Sequence, residues 1–230
     1  MTNEAISRVF LEKVVTFAAV PEDRCVMERA DPDLEQLMER ASRGDEAAQQ
    51  ALLSQHRERL RRMVAVRLDP RVAARVDPSD VVQEALAAAS ELLSDYLQKQ
   101  PIPFYPWLRR IAWERLVKLH RQHITAEKRT VTREATPELP DGSVAVLARL
   151  VVADNTSPSD QAVRKELQNR IRAALNELGE RDREVLILRY LEQLSTAEIA
   201  ALMGSTPGAI RVRHLRALER LRVLLKEALG

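Results

Sequence analysis

The chain has few of the residues on which several other protein classes depend. Its 230 residues include one cysteine, Cys25, so no intramolecular disulfide can form and a disulfide-built scaffold is excluded. Aromatic residues make up 3% and only six residues are glycine, whereas alanine, leucine, arginine and glutamate abound, a composition that predicts an all-α protein. No apolar run approaches the length of a membrane span and no secretory signal is evident. We therefore expect a cytoplasmic protein in a reducing compartment.

Signatures of catalysis and of bound metal are scarce as well. The chain has no glycine-rich phosphate loop and no nucleophile elbow. His120 and His123 lie three residues apart on a predicted helix, but no acid or cysteine nearby completes a metal set. Such a pair in a basic helix is usually a solvated face. The sequence therefore predicts no enzyme, no catalytic residue, no metal and no cofactor.

Charge is separated along the chain, although the net charge is only +2. Residues 107–133 hold eight lysines and arginines against two glutamates, a net charge of +6. Residues 211–226 hold six basic residues against one glutamate, a net charge of +5, and residues 1–33 have a net charge of −3. Two basic segments far apart in sequence predict two contacts with one polyanion.

The last fifth of the chain has the pattern of a helix-turn-helix. Ser195 followed three residues later by Glu198 predicts a capping box at the start of a helix. Gly204 lies in a short turn where a left-handed residue is needed. Thr206 and Pro207 then predict a second helix, with a cap and a proline at its first position. The second helix is rich in arginine, and a helix of this kind fits the major groove of DNA.

The second helix of this pair has two chemically different sides. At about 100° per residue, one side is mainly apolar and is expected to pack inward: Ile210, His214, Ala217, Leu221 and Leu224. The opposite side is expected to face bases and phosphates: Gly208, Arg211, Val212, Leu215 and Arg216. An ordinary helical hairpin with a solvated arginine face is the alternative, and the caps and the glycine turn in register favour DNA binding.

Further helices are predicted by caps, breaks and apolar periodicity. Their expected ranges are 3–19, 33–44, 46–68, 77–96, 107–123, a short one at 144–152, one from 160 to 179, and 182–191. A proline-rich loop is expected over 100–106, and a linker over 124–157. The architecture predicted is two all-helical modules joined by that linker.

Five of the eight aromatic residues fall between Tyr96 and Trp113, and basic residues interleave with them and follow. Aromatic rings beside cations suit unpaired bases, which stack on them with about 1–3 kcal/mol each. Duplex DNA exposes no ring faces, so the segment favours single-stranded or melted DNA. The alternative is that Trp107 and Trp113 are core residues of a small helical domain, and this alternative stays open for each tryptophan.

These motifs resemble a known family. The segment DPSDVVQEAL followed by WLRRIAWERLVKLHRQH resembles region two of bacterial RNA polymerase sigma factors. The segment RAALNELGERDREVLILRYLEQLSTAEIAALMGSTPGAIRVRHLRALERLR resembles region four. The presence of these two regions alone resembles the extracytoplasmic-function (ECF) subgroup. The resemblance implies an N-terminal extension at 1–33, region two at 34–123, a linker at 124–157 and region four at 158–230.

The resemblance also implies roles for particular residues. Core RNA polymerase would be bound by Asp80, Gln83 and Glu84. A melted proximal promoter element would be bound, partly through the loop at 100–106, by Phe104, Tyr105, Trp107, Arg109, Arg110, Trp113, Lys118 and Arg121. A duplex distal element would be read by Thr206, Gly208, Ala209, Arg211, Val212, Arg213, Leu215 and Arg216.

The function implied is that of a dissociable transcription initiation factor, with core RNA polymerase and promoter DNA as partners. A dedicated anti-sigma partner is also implied. The main alternative is an autonomous helix-turn-helix repressor or activator, which would bind duplex DNA alone, and a protein that binds polymerase without DNA is a third class. For residues 1–33 two hypotheses stay open, an acidic arm that restrains DNA binding and a cap on the apolar surface of region two. His214 and Leu215 depart from the family, which usually has an aliphatic and a polar residue at these places.

Overall fold

The computed structural model describes residues 32–68, 70–128, 142–152 and 161–229. All regular structure within these ranges is helical, and it falls into two compact units, which confirms the all-α prediction. The helices of the first unit are α1 (Pro32–Ser42), α2 (Glu46–Gln55), α3 (Arg57–Arg67), α4 (Pro70–Ala73), α5 (Pro78–Lys99) and α6 (Phe104–Lys128). Those of the second unit are α7 (Gly142–Val152), α8 (Gln161–Glu177), α9 (Glu180–Tyr190), α10 (Thr196–Met203) and α11 (Pro207–Leu229). The predicted helix at 3–19 lies outside the described residues.

The first unit is built around α5, which contacts α1, α2, α3 and α6. The Asp77 carboxylate caps α5 by accepting a 2.7 Å hydrogen bond from the Ser79 N–H, and this bond lowers the pKa of the carboxyl group. Pro78 occupies the first turn as predicted. The apolar face of α5 is buried through residues such as Val82, Ala85 and Leu93. Burial of this kind contributes about 1.5–3 kcal/mol for each large aliphatic side chain.

Several helix boundaries in the first unit differ from the sequence prediction: α5 ends at Lys99 rather than at 96, and α6 ends at Lys128 rather than at 123. The helix expected over 46–68 is interrupted at His56, which separates α2 from α3. The apolar stripe continues through the break, so its periodicity gave no sign of it. The loop expected over 100–106 is shorter, because α6 already begins at Phe104. The Tyr96 hydroxyl donates a 2.9 Å hydrogen bond to the Ile102 carbonyl and holds this short loop against α5.

The second unit is built around α11, which contacts α8, α9 and α10. Its core includes Ile171, Leu175, Leu186 and Leu188, all at most 1% exposed. The short helix predicted over 144–152 is confirmed by α7. The last helix runs on to Leu229, so the part expected to read DNA is only its first half.

Candidate nucleic-acid and polymerase interfaces

The helix-turn-helix has the local geometry that its sequence predicts. The Glu198 N–H donates to the Ser195 hydroxyl at 3.2 Å, and the Ser195 N–H donates to the Glu198 carboxylate at 2.8 Å, which completes the capping box. Gly204 ends α10 in the left-handed region with φ of 59°. The Thr206 hydroxyl then accepts a 3.2 Å hydrogen bond from the Ala209 N–H at the start of α11. These interactions fix the angle at which α11 leaves α10.

The two predicted sides of α11 are confirmed. On the inward side Ile210, Ala217 and Leu221 are buried, while His214 and Leu224 are half-buried. The outward residues are all exposed: Thr206, Gly208, Ala209, Arg211, Val212, Leu215 and Arg216. The described structure therefore presents a solvent-facing surface with arginine and aliphatic side chains over the first half of α11. We call this outward surface the reading face.

Two neighbouring residues tie α11 to α9. Arg213 Nη1 donates to Asp182 Oδ1 at 2.8 Å. The Tyr190 hydroxyl and His214 Nε2 form a 2.9 Å hydrogen bond, and burial, followed by the positive charge of Arg189, lowers the pKa of His214. Arg213 is thus half-buried in an ion pair, which corrects the expectation that it faces DNA in the same way as the exposed arginines. Sequence reasoning missed Asp182 and Tyr190, because no local pattern indicates a partner so far along the chain.

The residues proposed for polymerase binding lie together on α5. Asp80, Gln83 and Glu84 are all exposed. Their spacing places them on one side of the first two turns, and Ala87 and Glu91 continue that exposed side along the helix. The result is an acidic and polar surface opposite the buried face of α5, which we call the α5 surface.

Part of the aromatic and basic segment is core. Phe104 and Tyr105 are 4% and 1% exposed, and both rings lie against the ring of His56, at centroid distances of 5.3 Å and 5.6 Å. Both residues lie in the first turn of α6, where they pack into the core of the first unit. Arg109 is buried as well. These placements correct the expectation that Phe104 and Tyr105 present ring faces to unpaired bases and that Arg109 offers a surface cation.

The rest of the segment forms a surface along α6. The spacing of Trp107, Arg110, Lys118 and Arg121 places these four residues on one face, where the three basic residues are exposed and Trp107 is half-exposed. The ring of Trp107 stacks on Tyr96 at 4.4 Å with an interplanar angle of 26°. One of its two ring faces is therefore covered by protein. We call these four residues the α6 face.

Trp113 lies beside that face and is also half-exposed. The guanidinium of the buried Arg67 lies 5.4 Å from the centroid of its ring, and that of Arg109 lies 5.8 Å away. Two buried cations thus support Trp113 through cation–π contacts. Sequence reasoning did not single out Arg67, because its partner comes from a helix distant in sequence.

The described residues contain no group of three or more histidines, cysteines, aspartates or glutamates placed to hold a metal ion. None of the helices described is both long and apolar enough to cross a membrane.

Comparison with known proteins matches the sequence to a family. The family model for Sigma-70, region 4 matches residues 168–221, which contain the helix-turn-helix. The RNA polymerase sigma-H factor of Pseudomonas aeruginosa is 31% identical over 203 residues, which are 84% of this chain and 96% of that relative. The ECF RNA polymerase sigma factor ShbA of Streptomyces griseus is 32% identical over 149 residues, 64% of this chain and 71% of that relative.

The fold and the reading face define a helical DNA-binding protein with a C-terminal helix-turn-helix. The chain belongs to the bacterial RNA polymerase sigma factors of the ECF subfamily. It is accordingly a transcription initiation factor that directs RNA polymerase to promoters, and its partners are core RNA polymerase and promoter DNA.

Proposed function

We propose that the two units divide promoter recognition between them. The reading face of α11 reads a distal element in duplex form, and the α6 face holds the strand of a melted proximal element. The observation that supports this division most strongly is the separation of α11 into a buried side and an exposed side with Arg211 and Arg216. A helix held at its N-terminal end by caps and on its inner side by packing is suited to the major groove.

The melted element is proposed to contact the α6 face and Trp113. Half-exposed tryptophans beside the exposed Arg110, Lys118 and Arg121 combine aromatic rings with several cations, the combination that binds single strands without pairing. The buried Phe104 and Tyr105 would support this surface from beneath. Tyr96 has the same supporting role, because its ring covers the inner face of Trp107.

Core polymerase is proposed to dock on the α5 surface through Asp80, Gln83 and Glu84. These side chains are exposed and lie close together on one side of the helix. The helix dipole accounts for an acid at Asp80, but it does not account for the polar residues that continue beyond the first turn. An anti-sigma factor is a further partner in this proposal.

The protein itself is proposed to catalyse no reaction. It would act in the cytoplasm, where core polymerase and promoter DNA are found. The regions proposed are the extension at 1–33, region two at 34–123, the linker at 124–157 and region four at 158–230.

The test of the division is the effect of Arg211→Ala and Arg216→Ala on binding of the holoenzyme to duplex DNA. Loss of a base contact should cost about 1–3 kcal/mol at one position of the distal element, whereas loss of a phosphate contact should weaken all sequences alike and lower the salt slope by about one. Arg172→Ala is the matched control, since Arg172 is an exposed arginine on α8. Unchanged promoter occupancy in both reading-face variants would show that the assignment of α11 is wrong.

An autonomous regulator makes a different prediction. It would bind its duplex site tightly without polymerase, usually as a dimer on a palindrome. Binding of the purified chain alone to the same promoter therefore separates the two functions.

A further inference from the structure

Val212 and Leu215 are large aliphatic residues on the reading face, with exposed fractions of 48% and 65%. The inner side of α11 already supplies its share of the core through Ile210, Ala217, Leu218, Leu221 and Leu225, all buried. Val212 and Leu215 therefore leave about half or more of their surface outside the packing of the second unit. No described residue covers this apolar surface, which is therefore in contact with water. A partner that removed it from water would be bound favourably.

The surroundings of the pair indicate the charge of that partner. Val212 and Leu215 lie three residues apart on the same face, with Arg211 preceding them and Arg216 following. Along the helix axis the pair spans about 4.5 Å, little more than one base-pair step. An apolar patch of this size between two cations suits a ligand that combines negative charge with small apolar groups.

We propose that Val212 and Leu215 select thymine in the distal element by packing against its C5-methyl group. The inference rests on the proposed function, in which the reading face enters the major groove. Thymine is the one base that presents a methyl group there, and aliphatic side chains are among those that contact it. Arg211 and Arg216 then supply contacts to phosphates or guanine edges on either side.

A second copy of this chain is a poorer occupant of the same patch. A two-fold interface places the same surface on both partners. It would bring Arg211 and Arg216 of one copy close to the same arginines of the other, and such like-charge contacts are unfavourable. DNA covers the aliphatic pair and at the same time offers phosphates to the neighbouring arginines.

The test uses the full chain assembled with bacterial core RNA polymerase. Its preferred distal element is first selected from duplexes that are randomised in that region. Each thymine of the selected element is then replaced singly by deoxyuridine, which retains every hydrogen-bonding group and lacks only the methyl group. We expect one or two of these replacements to weaken binding about fourfold, the equivalent of about 0.8 kcal/mol for one buried methyl-sized group.

Variants of the protein assign the effect to residues. Val212→Ala and Leu215→Ala should each bind the thymine and deoxyuridine duplexes with more similar affinity, and the double variant should not distinguish them. Val223→Ala is the matched control, because Val223 is 46% exposed on the same helix but lies about 12 Å further along the axis than Leu215. It should retain the fourfold discrimination of the unchanged protein.

The outcomes are distinct. A selected element without thymine, or equal binding of thymine and deoxyuridine by the unchanged protein, would overturn the methyl contact and leave the reading of duplex DNA intact. Failure to select any duplex sequence would overturn the proposed function itself, and the inference with it. A dimer in light scattering that Leu215→Ala dissociates would assign the patch to a second copy and would also overturn the inference.

Discussion

Arg213 and Asp182 form an ion pair of 2.8 Å that joins α11, beside its reading face, to α9. The side chains are 38% and 25% exposed, so the pair is partly shielded from water. The next residue, His214, forms a hydrogen bond with Tyr190 that joins the same two helices. Together these contacts set the rotation of α11 about its own axis, and the rotation decides which side chains face DNA.

The ion pair predicts that Arg213 acts through stability rather than through DNA contact. In a double-mutant cycle of Arg213→Ala and Asp182→Ala, we expect a coupling of about 0.5–1 kcal/mol in the free energy of unfolding. The measurement is denaturant unfolding followed by circular dichroism. Arg213→Ala should leave the salt slope of duplex binding unchanged. A slope lowered by about one, as for a lost phosphate contact, would restore Arg213 to the reading face.

His56 predicts that the first unit loses stability in acid. Burial lowers the pKa of His56 to about 4, whereas the unfolded chain takes up the proton near 6.5. The free energy of unfolding should therefore be insensitive to this group above about pH 6.5 and fall as the pH drops from there to about 4, by about 3 kcal/mol in all. His56→Gln should remove that part of the acid sensitivity.

Tryptophan fluorescence measures this effect selectively, because both tryptophans of the chain, Trp107 and Trp113, lie on α6 of the first unit. Denaturant midpoints at pH 7 and pH 4.5 give the comparison. His214→Gln is the control, since His214 belongs to the second unit. An equal loss of stability in acid for His56→Gln and the unchanged protein would contradict the role of His56.

The α5 surface predicts a specific loss of polymerase binding. Asp80→Asn, Gln83→Ala and Glu84→Gln in combination should abolish co-elution with core RNA polymerase on a sizing column. Because all three residues are exposed, the circular dichroism spectrum should not change, and the unfolding free energy should fall by at most about 1 kcal/mol through the helix dipole. Glu46→Gln, an exposed acid in the first turn of α2, is the control and should still co-elute. Co-elution of the triple variant would mean that polymerase docks elsewhere.

The α6 face predicts a salt-dependent contact with single strands. Lys118→Ala and Arg121→Ala should each lower the salt slope for single-stranded promoter DNA by about 0.7, the value for one phosphate contact on a single strand. Arg75→Ala, which removes an exposed cation from the segment after α4, should leave the slope unchanged. A salt slope that is lowered by Arg75→Ala but not by Lys118→Ala or Arg121→Ala would show that single strands bind elsewhere than on α6.

Local signals in the sequence predicted the helix-turn-helix closely. Each of its caps depends on groups at most three residues apart, as between Ser195 and Glu198 or Thr206 and Ala209. Such interactions leave their pattern in the order of residues. The buried and exposed sides of α11 could be predicted for the same reason, because residues three or four positions apart lie on the same side of a helix.

Contacts between distant helices could not be predicted in this way. Arg213 and Asp182 are 31 residues apart, and the buried rings of Phe104 and Tyr105 meet His56 from another helix. From the sequence, Phe104 and Tyr105 were expected to lie on the same surface as the basic residues of α6, because they are close to them along the chain. Only packing separates them, because the side that α6 turns towards α3 and α5 is set by the assembled core.

The first half of α11, which has the reading face, and its second half, which packs through Leu221 and Leu225, belong to one unbroken helix of 23 residues. From Gly208 to Leu225 the axis rises about 26 Å, so a tilt of a few degrees at the buried end would move the exposed end by an ångström or more. Small changes of volume at Leu221 or Leu225 would therefore re-aim Arg211 and Leu215 without replacing either. Substitutions in the core, far from the groove, can therefore change promoter preference. The specificity of the factor depends in part on residues that do not contact DNA.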